Sequence, residues 1–120
     1  MVGKLSYRGY PCDMAHVADP ETLPGPRRED LRLEDVLQAL GDPIRLTIVR
    51  TLYGTPDAQR PCGTFGLPVA KSTASHHFRV LREAGVIHQH AVGRERLTEL
   101  RRDDLEARFP GLLGSVVGAD

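Results

Sequence analysis

The sequence of 120 residues has no tryptophan, only 5% aromatic residues and only two cysteines. Two cysteines are too few for a fold built on disulfides, and they fit a reducing cytosol. No apolar run reaches the roughly 18 residues that a membrane-spanning helix needs. The N-terminus, MVGKLSYRGYPCDMAH, lacks the apolar centre of a secretory signal. We therefore expect a cytoplasmic protein with no membrane partner, of a length that suits one small domain.

The chain also has no net charge, because 16 Lys and Arg residues balance 16 Asp and Glu residues. The local balance differs. Residues 19–35 hold six acids and three bases, whereas residues 71–102 hold seven bases and three acids. A basic surface beside an acidic one is typical of a protein that binds nucleic acid. An ordinary solvated face would give the same counts, so charge alone does not decide.

Features of an enzyme are missing as well. The sequence has no glycine-rich phosphate loop and no paired carboxylates. Its cysteines and histidines fall in different predicted elements, with no recognisable acid to orient them. We therefore expect no catalytic activity.

The pattern along the chain predicts an arm followed by one folded domain. Residues 1–29 contain four prolines and no hydrophobic period, which predicts a flexible N-terminal arm. Residues 30–118 form the predicted domain. Its first helix has apolar residues at i, i+3, i+4 and i+7, namely Leu33, Val36, Leu37 and Leu40. Gly41 is predicted to end this helix in a left-handed conformation.

Asp42 and Pro43 are predicted to be the N-cap and first residue of a second helix, which runs through Tyr53. Residues 60–68 contain two glycines and a second proline, so they can hold only a brief helix. Ser72 is the predicted N-cap of a further helix that ends at Ala84. One face of that helix is apolar, with Ala74, Phe78 and Leu81.

The remaining residues predict a β-hairpin and a helical end. Residues 86–91 and 95–100 flank Val92-Gly93-Arg94 and are predicted to pair. Pro110 is predicted to divide the final apolar residues and to start a last helix. These residues have helical spacing: Leu105, Phe109, Leu112, Leu113, Val116 and Val117. The fold class is thus mainly α with a small β-hairpin, in the winged helix-turn-helix order α-α-α-α-β-β-α.

In that fold the fourth helix can enter a major groove of double-stranded DNA. The candidate DNA-binding residues are Lys71, Ser72, Thr73, Ser75, His76, Arg79, Arg94 and Arg96. Hydroxyls can bind phosphates or base edges, Arg79 can read guanine, and the two hairpin arginines can hold a flanking backbone. His76 and His77 point about 100° apart on a helix, so we assign His76 to DNA and His77 to internal packing.

Two segments resemble the ArsR (ArsR/SmtB) family of bacterial winged-helix repressors: ALGDPIRLTIVRTL at 39–52 and KSTASHHFRVLREAGVI at 71–87. RRDDLEARFPGLL at 101–113 is similar to the carboxy-terminal part of one branch of that family. The resemblance extends over residues 30–117. It implies a homodimer that pairs through its first and last helices, binds an operator and leaves it when an effector binds. Two-fold symmetry then predicts an inverted-repeat operator.

Metal-sensing members of that family use thiolate and imidazole ligands from an N-terminal arm and the short third helix. Cys12, His16 and Cys62 resemble part of that set, which would suit Zn²⁺ or a softer ion. A Cys12–Cys62 redox switch is an alternative. The interpretation that we favour over both is that Cys62 is a small buried apolar residue and Cys12 an incidental thiol, and we therefore predict no cofactor.

His88 and His90 share one face of the predicted strand. A metal site there is conceivable, but a solvated strand of the hairpin is the expectation. Taken together, the residues predict a sequence-specific DNA-binding regulator, a homodimeric repressor. The alternatives are a metal- or redox-responsive repressor and a winged-helix protein-interaction module that does not bind DNA.

Overall fold

The computed structural model describes residues 21–55 and 60–119. The described residues are mainly helical, with a small antiparallel sheet, which is compatible with a winged helix-turn-helix. Single turns of 3-10 helix lie at Arg28–Asp30 and Cys62–Thr64. The other elements, in chain order, are β1 (Glu21–Thr22), α1 (Leu33–Leu40), α2 (Pro43–Tyr53), β2 (Arg60–Pro61), α3 (Lys71–Ala84), β3 (Ile87–Val92), β4 (Glu95–Leu100), α4 (Arg102–Arg108) and α5 (Leu112–Gly118).

The start of α2 confirms the predicted cap. The Asp42 carboxylate accepts hydrogen bonds from the backbone N–H groups of Ile44, at 2.9 Å, and Arg45, at 3.1 Å. Pro43 occupies the first turn, where no N–H is needed. Burial alone would raise the pKa of the Asp42 carboxyl. The two N–H donors and the positive charges nearby outweigh burial and hold that pKa below its ordinary value.

α1 differs from its prediction in the exposure of two leucines and in the conformation of its C-cap residue. Val36 and Leu40 are buried, but Leu33 and Leu37 are 44% and 47% exposed. The apolar stripe is therefore wider than the surface that the rest of the described chain covers. Gly41 has a φ of −84°, so the predicted left-handed stop is wrong. The helix ends there because Asp42 caps the next helix in an extended conformation.

α3 begins one residue before its predicted cap. Ala70 is the N-cap residue and adopts an extended backbone, so Ser72 lies within the first turn and the predicted Ser72 cap is wrong. The C-terminal end agrees with the prediction, since Gly85 has a φ of +89° and its N–H donates to the Arg82 carbonyl at 3.1 Å. Phe78 and Leu81 are buried in the core.

The hairpin is confirmed, and it belongs to a larger sheet. β3 and β4 pair from Ile87 opposite Leu100 to Val92 opposite Glu95, and a two-residue turn at Gly93 and Arg94 joins them. The antiparallel sheet has the order β1-β3-β4-β2. Neither short edge strand was predicted, because two residues carry no alternating pattern.

The first residues described contradict part of the predicted arm. β1 pairs with β3, with Glu21 opposite Ala91 and Thr22 opposite His90. Residues 21–29 are therefore attached to the domain by hydrogen bonds rather than forming a flexible arm. Residues 1–20 lie outside the described part of the chain.

The C-terminal helices are divided by Phe109, Pro110 and Gly111. α5 begins at Leu112 rather than at Pro110, because Gly111 takes a φ of +82° that turns the chain between α4 and α5. Leu105 and Leu113 anchor the two helices in the core. No helix in the described ranges has the length and hydropathy to cross a membrane.

Candidate nucleic-acid interface

α3 presents a polar face opposite its buried one. It packs on α1 and α2 through its apolar side, which includes Phe78 and Leu81. Because a helix has 3.6 residues per turn, residues about half a turn from these positions face away from the core. All eight predicted DNA-binding residues are exposed: Lys71, Ser72, Thr73, Ser75, His76, Arg79, Arg94 and Arg96. Six of them lie on the first three turns of α3 and two lie at the tip of the hairpin.

The two neighbouring histidines of α3 have different surroundings. The exposed His76 ring has its Nδ1 3.5 Å from Nη2 of Arg79, one turn further along the helix. The His77 ring is largely buried, and its Nδ1 accepts a hydrogen bond of 3.0 Å from Nη1 of Arg45. His77 thus joins α3 to α2, as predicted. The contact of His76 with DNA stays a prediction.

A groove of about 970 Å³ lies between the start of α3, the hairpin tip and residues 61–69. Its lining includes the apolar side chains of Leu67 and Phe78. It also includes three exposed cationic residues, Lys71, Arg94 and Arg96. Exposed cations beside hydroxyls are suited to the phosphates of a nucleic-acid backbone.

Three of the seven bases in residues 71–102 do not contribute to this surface in the way that the charge count suggested. Arg82 donates to the Pro24 carbonyl at 3.1 Å and to Oε1 of Gln89 at 2.8 Å. The Arg101 and Arg102 side chains also donate to protein acceptors. The basic excess of the segment therefore overstates the charge that is available to a partner.

Arg101 and Arg102 lie side by side but serve different contacts. Arg101 is 5% exposed, and it donates to the Asp104 carboxylate at 2.9 Å and to the Pro26 carbonyl at 2.6 Å. Arg102 donates to the last carbonyls of α2, and its guanidinium lies 4.8 Å from the centroid of the Tyr53 ring. Neither role could be predicted from the sequence, because backbone acceptors leave no signal in residue identity.

The histidine pair of the hairpin is not the solvated pair that was expected. His90 lies between β1 and β4, with Nδ1 3.0 Å from Oγ1 of Thr22 and Nε2 3.1 Å from Oε1 of Glu99. His88 is half-buried, and burial, together with the positive charge of Arg101, lowers the pKa of its imidazole. Among the described residues, no group of three or more His, Cys, Asp or Glu side chains is arranged to hold a metal ion.

Two of the three residues in the metal and redox hypotheses lie outside the described part of the chain. Cys12 and His16 lie outside the described residues. The backbone of Cys62 begins the 3-10 turn that precedes the groove, in agreement with the predicted brief helix. Metal binding and disulfide formation by these three residues stay predictions.

No protein-family model matches the chain. The chain is similar to the uncharacterized HTH-type transcriptional regulator YceK of Bacillus subtilis (strain 168). The two are 39% identical over 80 residues, which cover 65% of this chain and 79% of the relative. The exposed polar face of α3 is compatible with the helix-turn-helix in that name. The chain therefore belongs to the HTH-type transcriptional regulators and is a DNA-binding regulator of transcription.

Proposed function

We propose that the protein is a repressor of the ArsR kind, which binds an inverted-repeat operator as a homodimer. The observation that carries the proposal is the common exposure of eight polar or cationic side chains on α3 and at the hairpin tip. Other arginines nearby, such as Arg82 and Arg101, are bonded to protein acceptors. The exposed residues form a surface that the fold itself does not require.

In the proposed complex, α3 enters the major groove. Arg79 reads a guanine through its O6 and N7 atoms, and His76 beside it reads a neighbouring base. The hydroxyls and Lys71 at the start of α3 bind phosphates, which the exposed N–H groups of a helix start also favour. Arg94 and Arg96 hold the backbone on the far side of the groove of about 970 Å³.

We place the interface between the two copies at the first and last helices. Leu33 and Leu37 are one turn apart on α1, and both are large, exposed apolar residues. Phe109 and Val116 are only partly buried at the other end of the chain. Apolar side chains at such positions gain free energy when a second copy covers them.

Selection of bound DNA from a random pool, followed by binding measurements at several salt concentrations, tests the function. We expect an inverted repeat whose affinity falls steeply with salt, because bound phosphates release counterions. Arg79→Ala should cost about 1–3 kcal/mol at one base pair and relax selectivity there. Arg50→Ala is the control, because Arg50 is exposed but donates to the Ala119 carbonyl. Unchanged selectivity in Arg79→Ala would show that α3 does not read the bases.

Light scattering and sedimentation test the dimer separately. The double variant Leu33→Ser and Leu37→Ser should shift the protein towards monomer and weaken operator binding. Val92→Ser is the matched control, since Val92 is also a large exposed apolar residue but lies at the hairpin tip. A wild-type protein that is monomeric at all concentrations contradicts the homodimer. The same selection repeated with metal, oxidant and reductant tests whether an effector releases DNA.

A further inference from the structure

Residues 23–31 form a strap that passes over the C-terminal end of α3. At one end, the N–H of Leu23 donates to the Gln89 carbonyl in β3 at 2.8 Å. At the other end, the Leu31 side chain is buried in the core. In between, the strap lies directly on Gly85, where a Cβ atom would collide with the Leu31 side chain and lie 3.0 Å from Cγ of Pro26. The strap therefore packs against the end of α3 without a gap.

Three arginines donate to alternate carbonyls of the strap. Arg82 in α3 donates to Pro24 at 3.1 Å, Arg101 after β4 donates to Pro26 at 2.6 Å, and Arg108 in α4 donates to Arg28 at 2.7 Å. Pro26 is partly buried, so its carbonyl, which lies outside a helix or sheet, needs such a donor, whereas Pro24 and Arg28 are exposed. The strap is thus attached to α3, to the residue between β4 and α4, and to α4.

Arg82 is bonded to the hairpin as well as to the strap. While its Nε donates to the strap, its Nη1 donates to Oε1 of Gln89 at 2.8 Å. Gln89 is 1% exposed and lies in β3, and its amide nitrogen is 3.3 Å from Oγ1 of Thr98 in β4. One planar guanidinium therefore joins α3 to the strap and to β3, and the Gln89 side chain extends this connection to β4.

We propose that Arg82 is a positioning residue for DNA binding. Through Gln89 and the strap it holds α3 and the hairpin at the angle at which both reach one duplex. This inference rests on the proposed function, because it concerns how the two DNA-contacting parts are aligned. Arg82 itself does not touch DNA in this arrangement, since its donors face protein acceptors.

A double-mutant cycle with Arg94 tests the alignment. Arg82→Lys keeps the positive charge but replaces the planar fork with a single ammonium group. We expect it to weaken operator binding by about fivefold or more. We also expect Arg94→Ala, which weakens binding by the wild-type protein, to have less than about a twofold effect in the Arg82→Lys protein. The hairpin arginine then no longer reaches the backbone that it holds in the aligned state.

Two further variants separate alignment from loss of structure. Gln89→Met removes the bond between Arg82 and β3 without changing any charge, so it should reduce the Arg94→Ala effect in the same way. Arg108→Lys is the matched control, because Arg108 donates to the strap but not to α3 or β3, and it should leave the Arg94→Ala effect at its wild-type size. Hydrogen exchange of the strap and β3 peptides, measured without DNA, should speed up in Arg82→Lys more than in Arg108→Lys.

Equal Arg94→Ala effects in the wild-type and Gln89→Met proteins, both folded by circular dichroism, would overturn the inference while leaving the proposed function intact. An Arg94→Ala effect in the Arg82→Lys protein that equals the wild-type effect would also overturn the inference. A wild-type protein that binds no DNA in a salt-dependent manner would overturn both. Should Arg82→Lys fail to fold, the Gln89→Met cycle decides.

Discussion

Two groups of cations in this protein have different surroundings. The outer cations, Lys71, Arg79, Arg94 and Arg96, are exposed on α3 and the hairpin tip. The strap arginines, Arg82, Arg101 and Arg108, donate to backbone carbonyls of residues 23–31. Residue type and net charge do not distinguish the groups. The difference is whether backbone carbonyls of the strap lie within reach, and it predicts that the first group contacts DNA and that the second holds the domain together.

The sharpest test of this comparison is Arg101→Met. Arg101 is nearly fully buried and has two acceptors, the Pro26 carbonyl and the Asp104 carboxylate. Its loss leaves the Pro26 carbonyl without its donor and leaves the Asp104 carboxylate with Arg28 alone, so we expect the free energy of unfolding to fall by about 3 kcal/mol. Urea denaturation measures this change. Arg94→Met, the matched change among the outer cations, should alter it by less than about 0.5 kcal/mol.

A similar loss of stability in both variants would contradict the division into two groups. It would mean that Arg94 has a structural role that its exposure at the hairpin tip does not indicate. A loss in Arg101→Met of well under about 1 kcal/mol would instead show that water replaces its hydrogen bonds in solution.

The converse test concerns DNA. Arg94→Ala should weaken binding to all sequences about equally and reduce the slope of log K against log salt by about 2, because the proposed homodimer loses one phosphate contact from each copy. Its free energy of unfolding should stay near the wild-type value. Arg108→Ala is the comparison from the other group, and it should lower stability while leaving the salt slope unchanged. A salt slope that changes in Arg108→Ala would place that arginine on the DNA.

Local chemistry explains which parts of the fold could be predicted from the sequence. The Asp42 cap and the Gly85 stop depend on residues adjacent in the chain, and both are observed. The polar face of α3 follows from its period, because the buried and exposed residues of one helix are fixed relative to each other. The predicted Ser72 cap is wrong because Ala70 already has the extended conformation from which α3 starts.

The strap could not be predicted, for a different reason. Its bonds join Pro24 and Pro26 to arginines more than fifty residues away, and the acceptors are carbonyls that every residue has. Prolines and glycines without a hydrophobic period indicate a flexible arm unless such distant donors are known. For the same reason, the charge count of residues 71–102 included Arg82, Arg101 and Arg102, whose side chains donate to protein acceptors.

Asp104 adds an acid test of the strap. Burial alone would raise the pKa of its carboxyl, but hydrogen bonds from Arg28 and Arg101, with their charges, lower it below the ordinary 3.8. A carboxyl with a lowered pKa stabilises the fold above its ordinary pKa, and this stabilisation is lost as the pH falls through the lowered value. Between about pH 5 and pH 2, wild type should therefore lose more stability than Asp104→Asn. Denaturant titrations across that range measure the difference, and parallel curves would show that Asp104 gains nothing from its two arginines.

The smallest effect concerns His88, which is half-buried near Arg101 and Asp104. Burial first, and then the charge of Arg101, lowers the pKa of its imidazole below the ordinary 6.5. His88 therefore takes up a proton near pH 6.5 in the unfolded chain, but only at lower pH in the folded protein. The free energy of unfolding consequently falls as the pH drops from about 7 towards 5. In His88→Gln this part of the loss should be absent, whereas at pH 8 no proton uptake by His88 contributes in either protein. Thermal denaturation at closely spaced pH values measures it. If the wild-type and variant curves stay parallel from pH 8 to pH 5, then burial and the strap arginine do not disfavour a charge at His88.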